Sequence, residues 1–227
     1  MSAMINLIKK LITIFYNNRS FSQEGEDLVL RRIIRKSKGF YIDIGAHHPF
    51  RYSNTFLFYK LGWSGLNIDA MPGSMELFKK YRKRDINLEY GISNTEQELK
   101  YFIFNKPELN TFDESHAIEW QGKGNGKIKI IDTKIIKTKS IMKVLEDNLS
   151  ELEHVDFLNI DVEGYDLEIL KSFDFIKIKV DYIVIEVGAC FVEDLLESDI
   201  HNYLVSKKFH LFSKFYNSAL YAREDVK

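Results

Sequence analysis

Residues 39–49 read GFYIDIGAHHP, and this stretch decides the fold that we predict. Its first half, from Phe40 to Ile44, is apolar apart from Asp43 and therefore predicts a buried strand. Gly45 follows at once, and a glycine at that turn lets the backbone approach a ligand closely at the sheet edge where open α/β proteins bind. The G-x-G-x-x-G fingerprint of dinucleotide-binding proteins is missing, which favours a ligand without phosphates. The carboxylate of Asp43 suits a ligand that carries positive charge.

Residues 66–72, LNIDAMP, form a second apolar run that ends in an acid. Asp69 lies 26 residues after Asp43. In nucleoside-binding α/β folds, an acid at that place accepts hydrogen bonds from ribose hydroxyls. An aspartate at the end of a strand is also a common turn or cap residue, so each motif has a purely structural interpretation too. In this order, the two motifs together indicate an adenosine-bearing cofactor without phosphates.

A third strand motif, VDFLNIDVEGYDLEIL at residues 155–170, brings Asp161 and Glu163 to the same end of the sheet. Asp166 and Glu168 follow near the start of a predicted helix, where the helix dipole favours acids, so we interpret them as helix-stabilising residues. The next apolar run ends in Glu186. If the two strands are neighbours, Asp161 and Glu186 lie side by side and repel each other unless a proton or a hard cation sits between them.

Similar apolar runs alternate with helical patterns along the chain, which predicts a parallel sheet with crossover helices. The other predicted strands are Gly65–Asp69, Asn87–Ile92, Val155–Ile160, Tyr182–Glu186, Phe209–Phe212 and Ala219–Ala222. The predicted helices are Glu24–Arg35, Ser53–Leu61, Ser74–Lys83, Ser140–Leu149, Tyr165–Ser172 and Leu195–Ser206. In the middle of the chain, Leu99–Phe104 and Lys127–Ile136 predict an insertion of extra strands and loop. We expect substrate specificity to reside there, in residues 106–137.

Composition narrows the possible functions. The chain has 227 residues with 32 Lys plus Arg and 33 Asp plus Glu, a formal net charge of −1. A balance this close to zero disfavours a nucleic-acid partner, and small neutral or locally charged substrates fit better. A single cysteine excludes an intrachain disulfide, so a reducing cytoplasm is the expected compartment.

The N-terminal segment is apolar, but lysines interrupt it and it is too short to span a bilayer or to form a signal peptide. We predict a helical extension over residues 1–20 and one domain over residues 21–227. An apolar stripe on that helix favours packing against the body or a second subunit, hence a possible homodimer. The other possibility is peripheral attachment to the inner membrane face.

Taken together, these motifs resemble the FkbM family of S-adenosylmethionine-dependent methyltransferases. The resemblance covers about residues 21–188 and rests on residues 22–27 (SQEGED), 43–49, 53–55 (SNT), 69–72, 91–93 (GIS) and 160–164 (IDVEG). It implies an α/β, Rossmann-like class I methyltransferase fold: a seven-stranded, mostly parallel sheet of order 3-2-1-4-5-7-6 with an antiparallel last strand, helices on both faces and the β-rich insertion.

The resemblance also implies roles for individual residues in binding the cofactor, S-adenosylmethionine. Those expected to border its methionine part are Asp43, Gly45 and Ala46. Asp69 would hold the ribose, and the residues expected to flank the adenine are Ala70, Met71, Gly91 and Ile92. Gln23 and Asn54 would reach its amino-acid end. Asp69 stands where the family commonly has Glu, and Met71 occupies a variable position, which makes these contacts less secure.

Methyl transfer to an alcohol needs a base for the hydroxyl proton, and the candidates are His47, His48, Asp161 and Glu163. Sequence favours His47 because the ordinary pKa of histidine lies closer to neutral pH than that of a carboxylate. His48 is instead expected to pack against Pro49. Alternatively, Asp161 and Glu186 bind Mg²⁺ or Mn²⁺, which would orient the acceptor. The histidines without ligand spacing, which we expect to be surface or core residues, are His116, His154, His201 and His210. Trp120 is a candidate for stacking on a sugar.

The leading functional hypothesis is a bacterial O-methyltransferase that acts on a small-molecule or glycan precursor of a surface polysaccharide, such as capsule or lipopolysaccharide. One alternative moves the acceptor to a phosphate-linked or natural-product oxygen. Another, of a different class, is a non-catalytic subunit that binds the cofactor. A nicotinamide dehydrogenase is disfavoured because the glycine fingerprint is missing.

Overall fold

The structure is a computed structural model that describes residues 19–189 and 191–226. The predicted N-terminal extension falls almost wholly on residues 1–18, outside the described residues, and it stays a prediction. No helix within the described ranges is long and apolar enough to cross a membrane.

Ten strands run through the described residues. They are β1 Phe40–Ile44, β2 Ser64–Asp69, β3 Ile86–Glu89, β4 Gly91–Ile92, β5 Gln97–Phe104, β6 Ile130–Lys139, β7 His154–Ile160, β8 Lys179–Glu186, β9 Phe209–Lys214 and β10 Ser218–Arg223. The helices are α1 Glu26–Ile33, α2 Phe56–Lys60, α3 Met75–Tyr81, α4 Glu114–Trp120, α5 Ile141–Asn148, α6 Asp166–Ser172, α7 Val192–Glu197 and α8 Asp199–Ser206. A 3₁₀ turn covers Pro107–Leu109 and an irregular turn covers Lys123–Gly126.

Seven of the described strands form the main sheet, in the order β3-β2-β1-β7-β8-β10-β9. Numbered within that sheet, the order is 3-2-1-4-5-7-6, and β10 is antiparallel to both of its neighbours. The predicted Rossmann-like fold is confirmed. In register, Asp43 on β1 lies opposite Asn67 on β2 and Asn159 on β7. Strands β1 and β7 are parallel, but the order in which strands are added reverses there: β2 and β3 lie on one side of β1, and β7 and β8 lie on the other. Ligands of open α/β sheets bind at such a switch point.

Helices cover both faces of the main sheet, which explains why its central strands read as continuous apolar runs. On one face, Ile42 and Ile44 belong to a core that includes Val144 of α5 and Leu170 of α6. On the other, Tyr41 packs with residues of α1 and α2. Successive residues of β1 therefore point to opposite cores, as strand geometry requires.

The predicted β-rich insertion forms a second sheet of three described strands, β4-β6-β5. Two predicted elements were wrong in detail. The predicted strand Asn87–Ile92 is divided, because β3 belongs to the main sheet and β4 to the small one. The predicted helix Leu195–Ser206 is two helices, because Ser198 adopts an extended conformation and its hydroxyl accepts from the His201 N–H of α8.

A buried ion pair lies at the edge of α3. The Arg82 Nε donates to Asp85 Oδ2 at 2.8 Å, and both side chains are fully buried. Arg82 also donates to the Tyr41 hydroxyl (2.7 Å), and Asp85 accepts from the Asn67 amide (2.9 Å). Because each charge is met by several hydrogen bonds, the pair can persist in the interior and ties α3 to β1 and β2.

We predict that Arg82→Met lowers the free energy of unfolding by about 3 to 5 kcal/mol, because it leaves Asp85 buried without its charge partner. Urea titration measures the loss. The control Lys83→Met changes the exposed neighbour and should cost roughly 0.5 kcal/mol or less. A loss at Arg82 no larger than at Lys83 would contradict this role.

Candidate active site

A cavity of about 470 Å³ opens at the carboxyl ends of β1, β2, β7 and β8. Its other walls come from residues 23–26, from the insertion at residues 107–112 and from the turn before β10. The sequence-predicted residues that line it are Gln23, Asp43, Gly45, Ala46, His47, Asn54, Asp69, Ala70, Met71, Ile92, Asp161, Glu163 and Glu186. The exception is Gly91, which packs against Phe112 and Thr138 of the insertion and does not line the cavity.

Gly45 is required by a close approach of two backbones. Its φ is +85°, and a Cβ built there would lie 1.7 Å from the carbonyl oxygen of Asp161. The Asp161 N–H donates to the carbonyl of Ile44 at 3.0 Å, so the chain leaving β7 crosses directly over the turn after β1. A residue with a side chain would push the two loops apart.

Asp43 forms the floor of the cavity, where protein donors already engage its carboxylate. Oδ2 accepts from the Thr55 hydroxyl at 2.8 Å, and Oδ1 accepts from the Asn159 amide at 2.9 Å. Asn159 Oδ1 in turn accepts from the Asn54 amide at 2.8 Å. Burial raises the pKa of Asp43 above its usual range, and these hydrogen bonds oppose the rise. Asp43 thus orients Asn54, a residue that lines the cavity.

Asn54 lines the cavity and carries an acceptor that no protein group satisfies. Its Oδ1 atom is buried and has no hydrogen-bond partner in the structure. A buried polar atom without a partner is costly, and a ligand donor placed there would remove that cost.

Asp69 joins two loops and keeps capacity for a ligand. Oδ2 accepts from the His47 N–H at 2.9 Å, and Oδ1 accepts from the Met71 N–H at 2.8 Å. Burial raises its pKa, while these two hydrogen bonds lower it. Because each carboxylate oxygen has a second lone pair, the side chain can serve the turn and still accept from ligand hydroxyls.

The two adjacent histidines have different environments. His47 lies in the left-handed region, with φ of +50°, and lines the cavity. The Nδ1 of His48 instead accepts from the N–H groups of Phe50 and Arg51, at 3.1 and 3.2 Å, and so closes the turn. The ring of His48 is therefore held by the turn and does not line the cavity, whereas His47 does.

Three carboxylates meet where β7 and β8 end. One oxygen each of Asp161, Glu163 and Glu186 lies within 4.8 Å of the others. The Asp161 side chain opens onto the cavity, yet its position deep in the protein raises its pKa well above the usual range, and the charge of Glu163 adds to the rise. The pKa of Glu186 is also raised well above its usual range, by burial and then by Asp161. The cluster therefore favours bound protons or a bound cation.

Asp166 holds the loop that carries Glu163, so its interpretation as a mere helix-stabilising residue was incomplete. Its two carboxylate oxygens accept from the N–H groups of Val162 and Gly164, each at 3.1 Å. Burial raises its pKa to about 6 despite these bonds. Glu163 itself has φ of +53°, an uncommon conformation that this grip helps to maintain.

His116 on α4 was missed by sequence reasoning, which treated it as structural. Its Nε2 lies 3.3 Å from Oε2 of Glu163, and the Trp120 Nε1 approaches the same nitrogen. A charged His116 donates to Glu163, whereas a neutral one accepts from Trp120, so protonation selects the contact. Glu163 raises the pKa of His116. Since 47 residues separate the pair, spacing in the sequence held no signal for it.

The comparison with protein-family models places the chain among methyltransferases. A family model described as the methyltransferase FkbM domain matches residues 43–209, more than half of the chain. No curated protein matches this chain. Among solved structures, a TehB-like SAM-dependent methyltransferase from Corynebacterium glutamicum is 11% identical, with 98% of each chain covered and a TM-score of 0.45. A precorrin-6y C5,15-methyltransferase from Geobacter metallireducens is 13% identical over 88% of this chain and 87% of that one, with a TM-score of 0.43.

We predict that His116→Gln destabilises the protein more at acidic than at alkaline pH. The pKa of His116 is raised in the folded state, so the charged contact is fully present below the ordinary histidine pKa of 6.5 and is lost as pH rises through the folded pKa. The pair is partly exposed, so the expected loss is only roughly 0.5 to 1 kcal/mol near pH 5.5 and close to zero near pH 9.

Denaturant midpoints at the two pH values measure this difference. His201→Gln is the matched control, since His201 contacts the uncharged hydroxyl of Tyr221. Equal losses for His116→Gln at both pH values would show that the charged contact with Glu163 does not stabilise the fold.

Proposed function

The chain belongs to the methyltransferase FkbM domain family, and from this membership we propose that it transfers the methyl group of S-adenosylmethionine to a sugar hydroxyl. The proposed acceptor is a precursor of a bacterial surface polysaccharide, such as capsule or lipopolysaccharide. We place this reaction in the cytoplasm because the single cysteine requires no oxidising compartment. The apolar stripe expected on the N-terminal segment supports a position near the inner membrane face. The observation that carries the proposal is the charge of the cavity.

The cavity lining is strongly acidic. Eight of the described residues that line the cavity are acids. The same lining contains one histidine, His47, and no lysine or arginine among the described residues. The acids are Glu24, Glu26, Asp43, Asp69, Glu108, Asp161, Glu163 and Glu186. Such a site attracts cations and repels anions. It suits a cofactor that carries a sulfonium and an ammonium group.

The same charge bears on the acceptor. A phosphate close to the reacting oxygen would meet carboxylates with no Lys or Arg among the described lining residues to compensate, so the charge of the cavity favours a neutral hydroxyl over the phosphate-linked alternative. Tyr101, Phe112 and Trp120 also line the cavity, on the side of the insertion. Aromatic surfaces of this kind suit the apolar faces of a sugar ring, which supports the proposed acceptor class.

The polar groups of the floor suit the parts of the cofactor. Asp69, with its remaining lone pairs, would accept from the ribose hydroxyls. Asn54 Oδ1, which lacks a partner in the structure, would accept from the cofactor's ammonium together with Gln23. The residues that would flank the adenine are Ala70, Met71 and Ile92. Gly91 is not in the cavity wall, so we assign it no cofactor contact.

The cavity's carboxylates would supply the base. When bound, the cofactor would supply a methyl group to the acceptor oxygen by in-line displacement, with the electron pair of the carbon–sulfur bond left on sulfur. Holding both reactants in this alignment can lower the activation barrier by about 7 to 11 kcal/mol. The hydroxyl proton passes to a base, and a carboxylate whose pKa is raised accepts it better near neutral pH. The raised pKa of Asp161 and its place in the cavity wall beside Glu163 move our preference from His47 to Asp161.

We predict that Asp161→Asn lowers kcat about 10²- to 10⁴-fold, because asparagine cannot take the proton. The assay follows labelled methyl groups from S-adenosylmethionine into neutral glycan precursors, with cofactor binding measured by calorimetry. His47→Gln is the matched variant and should retain most of the activity.

The reverse pattern, with His47 essential and Asp161 dispensable, would return the role of base to His47. If no methyl transfer occurs with any acceptor although the cofactor binds, the alternative of a non-catalytic subunit replaces the proposal.

We also propose that Mg²⁺ or Mn²⁺ can occupy the carboxylate cluster. Asp161 and Glu186, with Glu163 close by, offer the hard oxygen ligands that these ions prefer. Burial raises the pKa of both groups, and the negative charge of the neighbouring carboxylates adds to the rise, so a bound cation would relieve their repulsion. When bound, such an ion would lower the pKa of the acceptor hydroxyl and orient it.

If the ion belongs there, we expect EDTA to reduce turnover at least tenfold and added Mg²⁺ to restore it. Calorimetric titration with Mn²⁺ provides a readout apart from activity, and Glu186→Gln should weaken that binding at least about tenfold. Full activity in EDTA, together with no heat from Mn²⁺, would rule out the metal and leave the acids as proton carriers.

A further inference from the structure

Strand β6 has one free edge. Along one side it pairs with β5 from Gln97 to Phe104, regularly over residues 132–138 and with a bulge at Ile131, which has no partner on β5. Along the other side it pairs with β4 only at Thr138 and Lys139. Within the described residues, no strand meets that second side over residues 130–137. A free strand edge presents unpaired N–H and C=O groups, which makes it a template for another strand.

Backbone contacts show which groups face the free edge. Phe102, the β5 partner of Thr133, makes both of its backbone hydrogen bonds with Thr111 on the far side of β5. Thr133 therefore lies in a non-hydrogen-bonded pair and directs its N–H and C=O away from β5. Its N–H donates to the neighbouring Asp132 Oδ1 at 2.8 Å, a local contact that pairing with another strand would replace. By alternation along the strand, Ile135 presents its backbone groups to the same edge.

Two large apolar side chains at this edge are exposed. Ile131 and Ile135, on either side of Thr133, are each 65% exposed. Two exposed isoleucines beside unpaired backbone would promote aggregation unless a specific partner covers them.

Residues 131–135 read IDTKI, which is complementary to itself in antiparallel pairing. With a two-fold axis at Thr133, Ile131 faces Ile135 and Asp132 faces Lys134, each twice by symmetry. Centring the axis on Lys134 instead would set Asp132 against Ile136 and Ile131 against Lys137. The charges and apolar residues therefore select one register.

We propose that β6 pairs with β6 of a second copy of this chain, antiparallel and centred on Thr133, so that the small sheets of the two copies join into one. The contact is isologous, as two-fold symmetry demands. It also has a link to the cavity: Tyr101, which pairs with Lys134 across β5 and β6, lines the cavity wall. A joined sheet would brace that wall.

Two charge variants and their mixture test the proposal. By sedimentation, the native chain should have twice the mass of one chain. Asp132→Lys and Lys134→Asp should each weaken the dimer about tenfold or more, because two attractive pairs become repulsive. When the two variants are mixed, lysines of one chain face aspartates of the other, so a heterodimer should form.

The control Lys127→Asp makes the same charge change in the exposed turn before β6, outside the pairing, and should leave the dimer intact. Circular dichroism checks that every variant is folded. A monomeric native chain, a dimer that neither variant weakens, or a mixture that recovers no heterodimer would each overturn the proposal.

Discussion

The close approach of two loops at Gly45 is the constraint on which the site depends. The carbonyl of Asp161 occupies the space that a side chain at residue 45 would fill, so the turn after β1 and the chain leaving β7 are in direct contact. That contact brings Asp43 and Asp69, from the first half of the sheet, into the same cavity as the carboxylates of the second half. A strand order that places β1 beside β7 makes this meeting possible, and glycine makes it close.

Polar contacts beneath the cavity keep its acids in place. Arg82 reaches Thr55 as well as Tyr41, and Thr55 donates to Asp43, so the buried cation of α3 connects through one hydroxyl to the floor of the site. From Asp43 the contacts continue to Asn159 and Asn54. On the opposite wall, Asp166 and His116 hold the loop of Glu163. Clustered acids with raised pKa values oppose stability, and sites of this kind are commonly functional.

Much of the fold could be predicted from sequence because the relevant signals are local. Apolar runs with terminal acids indicated the strands of the main sheet, and the family resemblance supplied their order. Residues at or just beyond the carboxyl end of a strand, such as Asp43, Asp69 and Asp161, could be assigned to the cavity because carboxyl ends of parallel strands share an edge. Gly91 did not follow this rule because it opens a strand of the insertion, not of the main sheet.

Other features depend on contacts that sequence does not display. Arg82 belongs to the basic run KKYRKR, which is typical of an exposed helix end, yet it is fully buried because Asp85 and Tyr41 meet it. His116 and Glu163 are brought together by the insertion, whose path no periodicity reveals.

Most directly, a crystal structure with S-adenosylhomocysteine tests the account. We predict its ribose hydroxyls within hydrogen-bond reach of Asp69 and its sulfur facing Asp161, whereas a cavity filled by the protein's own side chains, or a ribose held away from Asp69, would contradict the proposed function.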